Sequence, residues 1–250
     1  MYKCGLVSVS FRNNTPEEIV KSVKDSGLSA IEWGSDIHAP YTDIKNLEYI
    51  KNLCDKNGIE ISSYGTYFTL GKDSLSELPE YINAAKILGT DVLRLWCGDK
   101  SYSDYSDEEF DAFCKICKEA ALIAEKSNVK LCMECHNGTV TDCLKGALSL
   151  MRSVNSKSFR MYWQPNQFIS EEENAEYAKG IAEYTEYLHV FNWKGNEKYP
   201  LIDGREIWKK YLSFFDKNRT LLLEFMPDGK IESLKNETDS LLKIAGEMTK

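Results

Sequence analysis

Apolar residues along the chain gather into short runs of four to eight positions separated by longer amphipathic stretches, and the two kinds of segment alternate from one end to the other. The runs at 4–11, 30–33, 59–64, 92–96, 130–136, 159–164, 188–193 and 220–225 predict eight strands. The stretches at 15–26, 44–57, 75–88, 107–127, 141–154, 171–183, 205–217 and 231–248 predict eight helices. Helix ends carry the expected punctuation. Thr15-Pro16-Glu17-Glu18 sets a cap residue, a proline and early acids at one start, while Gly27, Gly58 and Gly89 close other helices.

Eight strand–helix units in 250 residues allot roughly 31 residues to each, about the length of a minimal repeat in a closed (β/α)8 TIM barrel. An open, doubly wound sheet would also alternate. Short, even loops and the lack of a nucleotide-binding glycine fingerprint favour closure. No composition shift or linker marks a boundary, so residues 1–250 read as one barrel domain.

Composition then removes whole classes of function. Hydrophobic residues make up 42% and charged ones 28%, enough to bury a sizeable core. With 31 basic against 39 acidic side chains, the formal charge of −8 argues against a nucleic-acid partner, which needs clustered Lys and Arg. No run approaches the 18 or so apolar residues of a membrane span, and the start lacks a signal-peptide pattern. The expectation is a cytoplasmic protein with no membrane partner, whose eight cysteines are mostly reduced thiols. A homo-oligomer is compatible with all of this.

The candidate chemistry lies where strands turn polar. A barrel strand is buried on both faces, so a charge inside one requires a partner or a task. Glu32, Arg94, Glu134 with His136, Gln164, His189 and Glu224 all fall near the C-terminal ends of predicted strands. Active sites of such barrels are built at that mouth, so these side chains are expected to share a pocket. His38, just past a strand end, joins them, which places all three histidines of the chain at one mouth. Taken singly, each has a structural alternative: a buried acid paired with an arginine, a satisfied core histidine, a rim residue. Trp33, Trp96, Trp163 and Trp193 also sit at strand ends, where aromatic walls suit sugar faces and core packing equally well.

Two other patterns fail on inspection. Cys114-x-x-Cys117 and Cys132-x-x-Cys135 have a zinc-like spacing, but the first pair lies in a helix and the second in a strand, where residues three apart face opposite ways. Gly65 to Lys72 approximates a phosphate loop, with five residues between glycines and Asp73 in place of the hydroxyl.

The segments Ile31-Glu32-Trp33-Gly34 with His38 downstream, Tyr162-Trp163-Gln164-Pro165, His189-Val190-Phe191-Asn192-Trp193 and Leu223-Glu224-Phe225 resemble those of xylose isomerase-like TIM barrels, the sugar phosphate isomerase and epimerase group. The resemblance covers essentially the whole chain. It implies one divalent metal (Mn, Mg or Zn) held by Glu134, Gln164, His189 and Glu224, with Gln164 standing where the group usually has Asp. Asn192 likewise stands where many relatives have Asp. The implied activity is a metal-dependent isomerase or epimerase of a small sugar or sugar phosphate, working through an enediolate with Glu134 and Glu224 as acid/base pair. Glu32, His38, Arg94, Trp96, His136, Trp163 and Asn192 are the expected substrate contacts. Two other readings stay open: a keto-sugar or cyclitol lyase or dehydratase on the same site, and a non-catalytic carbohydrate-binding relative. A DNA-repair endonuclease on this fold fails for want of histidines and of a basic stripe.

Overall fold

The computed structural model describes residues 2–248. Eight parallel strands close into a barrel: β1 (Lys3–Val7), β2 (Ala30–Gly34), β3 (Glu60–Leu70), β4 (Val92–Cys97), β5 (Lys130–Glu134), β6 (Phe159–Trp163), β7 (Thr185–Val190) and, after a small hairpin of β8 (Trp193–Lys194) and β9 (Glu197–Lys198), β10 (Thr220–Leu223). The ring closes where β1 pairs with β10, from Lys3 opposite Thr220 to Leu6 opposite Leu223. Around it lie α1 (Pro16–Ser26), α2 (Ile44–Asn57), α3 (Leu78–Leu88), α4 (Asp107–Ser127), α5 (Leu144–Val154), α6 (Glu171–Ile181), α7 (Arg205–Leu212) and α8 (Leu234–Glu247). The predicted closed (β/α)8 barrel is the observed one. No helix among the described residues is long and apolar enough to cross a membrane.

Helix starts follow local chemistry. Thr15, Ser106 and Ser170 each accept from the backbone N–H three residues on, and Glu18, Glu109 and Glu173 bond back, which satisfies two otherwise orphaned donors at each end. Where the predicted bounds miss, polar contacts decide. The run at 4–11 stops pairing at Val7, because Ser8 and Ser10 turn away in a 3-10 turn and accept from the N–H groups of Gly34 and Phe225, both at 2.9 Å. The run at 188–193 begins earlier, at Thr185, and ends at Val190; Trp193 belongs to the hairpin.

Strand alternation sorts side chains between two compartments. Val7, Val9, Val92, Cys132, Tyr162 and Leu222 fill the barrel interior. Trp163 points the other way and packs on Trp208, Tyr211 and Phe215. The eight cysteines are free thiols, with Cys132 inside the barrel and Cys135 in the outer layer, where its thiol lies 3.1 Å from the Tyr177 hydroxyl. At the N-terminal end of the barrel, Glu186 gathers Arg160 at 3.0 Å, Lys130 at 3.3 Å and Arg219 at 3.9 Å, away from the mouth.

Candidate active site

Each polar side chain at the mouth is placed by a strand end. Arg94 on β4 reaches sideways to two acids: its Nε donates to Glu32 Oε1 at 2.9 Å, and its Nη1 donates to Glu134 Oε2. Arg94, Glu32 and Glu134 are all buried. The neighbouring backbone makes room, since a Cβ on Gly65 would collide with the Glu32 carboxylate. Glu32 also accepts from Ser63 Oγ at 3.0 Å, and that hydroxyl lies 3.2 Å from the Tyr162 hydroxyl. Trp96 Nε1 donates to Glu134 Oε2 at 2.7 Å, so two donors occupy one oxygen of Glu134 and leave Oε1 facing inward.

His189 on β7 lies wholly buried at the floor. Its Nδ1 is 2.9 Å from Gln164 Oε1, 3.5 Å from Glu134 Oε1 and 3.6 Å from Glu224 Oε2. A single ring nitrogen can hydrogen-bond only one of these three oxygens. Nδ1 and the three oxygens form a donor set of the type that holds Zn, Mn or Mg. In a tetrahedral site with ligand bonds of about 2.1 Å, ligand atoms stand about 3.4 Å apart, close to the spacings observed. Glu134, His189 and Glu224 have ligand atoms within 4.8 Å of one another. The residues present therefore fit a divalent ion. On the far side, His189 Nε2 is 3.6 Å from Glu32 Oε1 and has no hydrogen-bond partner among the described residues, so Glu32 backs the ring electrostatically.

The charges are unequal. Burial would raise both Glu32 and Glu134, but the Arg94 guanidinium outweighs it, holding Glu32 at about 2 and Glu134 well below the usual carboxylate range. Burial pushes the Glu224 carboxyl above its ordinary value, with His189 opposing and the Glu134 charge adding to the rise. Burial would keep His189 neutral, yet Glu224 and Glu32 outweigh it and draw its value up to about 10. A bound dication would displace that imidazolium proton.

A cavity of about 420 Å³ opens above these groups, lined by Arg94, Trp96, Glu134, His136, Gln164 and Glu224, with Arg12, Tyr67, Phe168, Trp193 and Phe225 nearer its rim. His136 stacks on Trp96 with ring centroids 4.5 Å apart. Four expected substrate contacts do not line the cavity. Trp163 is on the helix side of β6, because it follows inward-facing Tyr162 by one residue. His38 is buried, with Nδ1 3.1 Å from Ser8 Oγ and Nε2 3.2 Å from the Asn14 carbonyl. Asn192 lines a neighbouring cavity of about 270 Å³ and donates to the Pro200 carbonyl at 2.9 Å. Glu32 lies beneath the cavity and not on its wall. Arg12 and Tyr67 carry no sequence signal, because they sit in a loop and in an extended strand end where no periodicity flags them, and Phe225 stands out only as part of Leu223-Glu224-Phe225.

Among curated proteins, the chain is 21% identical over 168 residues to a 3-dehydroshikimate dehydratase of Bacillus anthracis, across 64% of this chain and 60% of that one. The crystal structure of the probable 3-DHS dehydratase AsbF, from the same organism and involved in petrobactin synthesis, superposes with a TM-score of 0.81 at 17% identity, covering 96% of this chain and 98% of that one. The IOLI protein with a bound zinc atom superposes with a TM-score of 0.77 at 14% identity, over 98% and 99% of the two chains. The profile of the xylose isomerase-like TIM barrel family matches residues 20–240, and the chain belongs to that family.

Proposed function

We propose that this site takes a proton from the carbon beside the ketone of a polyhydroxylated substrate and expels water from the next carbon, making it a divalent-metal-dependent dehydratase of a keto-sugar or cyclic hydroxyketone. The observation that carries this is the inequality of the two carboxylates. Arg94 and Trp96 pin one oxygen of Glu134 and keep it ionised, which suits a fixed metal ligand and not a base that must swing and exchange protons. Glu224 faces the cavity and, among the described residues, has no such pair of donors; with its Oε2 turned toward His189 Nδ1, its other oxygen is left to accept and release a proton. A divalent ion, when bound, would stabilise negative charge on the substrate oxygens. Glu224 takes the α-proton, the C–O bond at the adjacent carbon breaks, and His136 at the cavity wall protonates the leaving hydroxide to water. The product is a conjugated enone. The likeness to a 3-dehydroshikimate dehydratase supports this reading.

Isomerase or epimerase action is the second reading, favoured by one fact: Glu134 and Glu224 both line the same cavity, as a two-sided proton transfer requires. Incubating keto-sugars and cyclic polyhydroxy ketones in D2O with Mn or Mg separates the two. Dehydration yields an ultraviolet-absorbing enone, whereas isomerisation or epimerisation yields deuterated sugar without it. Glu224→Gln should abolish either product, and a fully active variant would overturn the assignment of the base.

A further inference from the structure

The rim of the cavity is built differently from its floor. Phe225, directly after Glu224, has a positive φ of 51°, a left-handed conformation that a bulky residue adopts only where its surroundings enforce it. Its N–H is held by Ser10 Oγ at 2.9 Å. The strain fixes the Phe225 ring at the mouth, 5.5 Å from the Trp193 ring. Two cations are held against these rings. Lys198 Nζ lies 4.8 Å from the Trp193 centroid and 5.0 Å from that of Phe225, and Arg12 Cζ lies 6.0 Å from Phe225.

The hairpin carrying Lys198 is itself tied down. Gly195 N–H donates to the Gln167 carbonyl at 2.9 Å and Tyr199 N–H to the Asn192 carbonyl at 2.8 Å. Lys198 is exposed and makes no ion pair among the described residues, while nearby Lys194 has Glu171 at 3.9 Å. Arg12 is held at Nε by Asp36 at 2.9 Å, at Nη1 by the Val9 carbonyl at 3.1 Å and at Nη2 by the Tyr67 hydroxyl. Among the described residues, one N–H on each terminal nitrogen has no partner. A lysine on an exposed hairpin ordinarily finds solvent or a carboxylate; here an aromatic platform shared with the cavity wall fixes it beside the entrance.

We propose that Lys198 and Arg12 form an anion subsite at the rim, so that the substrate of the reaction proposed above carries a carboxylate or a phosphate on the end remote from the reacting carbon. The class of substrate is thereby an acidic polyhydroxy ketone. This rests on the proposed function for its context but is tested by binding alone. In a protein of net charge −8, a local pair of cations also steers such an anion to a mouth whose floor is lined with acids.

Inorganic phosphate and malonate serve as probes of the two anion types, titrated into Mg-loaded, 15N-labelled protein in about 0.15 M NaCl, where diffuse attraction is largely screened. The indole N–H signal of Trp193, assigned with Trp193→Phe, reports occupancy. One or both anions should saturate that signal in the millimolar range, and the tighter one identifies the group the substrate carries. Lys198→Gln should weaken binding about tenfold, and the Lys198→Gln/Arg12→Gln double variant should abolish it. Lys194→Gln should leave binding unchanged. No saturable shift with either anion, or equal binding by the double variant, overturns the subsite. Enone formation on the substrate panel is scored separately. Anion binding without an enone removes the proposed dehydration and keeps the subsite, and an enone without anion binding does the reverse.

Discussion

Glu32 accepts from Arg94 Nε at 2.9 Å inside the barrel, and neither side chain has more than 3% of its surface exposed. A second bond from the same guanidinium to Glu134 sets Arg94 between two buried acids. Removing one partner of such a group leaves uncompensated charge, which costs about 3–5 kcal/mol. Arg94→Met should therefore destabilise the protein by about that much in urea titration, and the Arg94→Met/Glu32→Gln pair by less than the sum of the single changes. Additive effects would mean that the bond contributes nothing to folding.

Glu32 also gives the protein an acid-sensitive element. Its native value of about 2 lies below the ordinary 4.5, so the native state favours the ionised form. The resulting stability is fully present above about pH 4.5 and is lost as pH falls through the window down to 2, about 3 kcal/mol in all. Stability measured between pH 5 and 2.5 should fall less steeply in Glu32→Gln than in the parent. An identical slope would show that Glu32 titrates as an exposed acid does.

Much of the fold was legible because a parallel barrel repeats one signal eight times, and each short apolar run needs only a helix behind it to be recognised. The acids at the mouth were legible for a related reason: Glu134 and Glu224 break runs that burial would otherwise keep apolar. Trp163 was misplaced by neglect of alternation. It stands one residue after Tyr162 and one before Gln164, and a period of two sends it to the helix side when Gln164 faces the mouth. The same parity sets Trp33, next to inward-facing Glu32, out of the cavity. His38 could not be placed that way, since its position depends on a loop held by Ser8 and Asn14. Nor could Lys198, whose hairpin lies inside what reads as a continuous strand at 188–193 and the polar stretch after it.

Burial has a consequence at high pH as well. It pushes the Cys4 and Cys135 thiols up to about 12 and Cys54 to about 11, against an ordinary 9.0. A native thiol that stays protonated while its unfolded counterpart ionises makes the native state the poorer one at high pH. Stability should fall above about pH 9, by about 1.4 kcal/mol per pH unit for each such thiol. Cys4→Ala should reduce that alkaline slope. At neutral pH, a thiol reagent should label half-buried Cys143 first and the buried thiols only on unfolding. Rapid labelling of Cys135 in the native protein would contradict its burial.

Behind the imidazole, Glu32 Oε1 stands 3.6 Å from His189 Nε2 while Nδ1 faces the three oxygens of the candidate metal site. A carboxylate in that position orients the ring and raises its basicity, and losing such a partner typically weakens metal binding 10–100-fold. Glu32→Gln should lower Mn or Mg affinity by about that factor in calorimetric titration. Glu32→Asp, which keeps the charge, should lower it less. Equal affinity in all three proteins would confine Glu32 to its bond with Arg94.

Gln164 supplies the most informative single change. Its Oε1 lies 2.9 Å from His189 Nδ1, so the amide already points at the nitrogen expected to hold the ion. An amide oxygen carries only partial charge, and with Glu134 and Glu224 as the acids the donor set holds two formal negative charges. Gln164→Asp adds a third and shortens the side chain by one methylene. Hard divalent cations bind more tightly as carboxylates replace neutral oxygens. The affinity for Mn or Mg should therefore rise about tenfold, equivalent to about 1.4 kcal/mol. Without metal, the added acid would sit beside Glu134 and Glu224 uncompensated, so the metal-free variant should melt below the parent and the loaded one at or above it. If neither protein takes up a divalent ion at millimolar concentration, the four side chains form no metal site and the non-catalytic carbohydrate-binding reading of the cavity replaces the dehydratase.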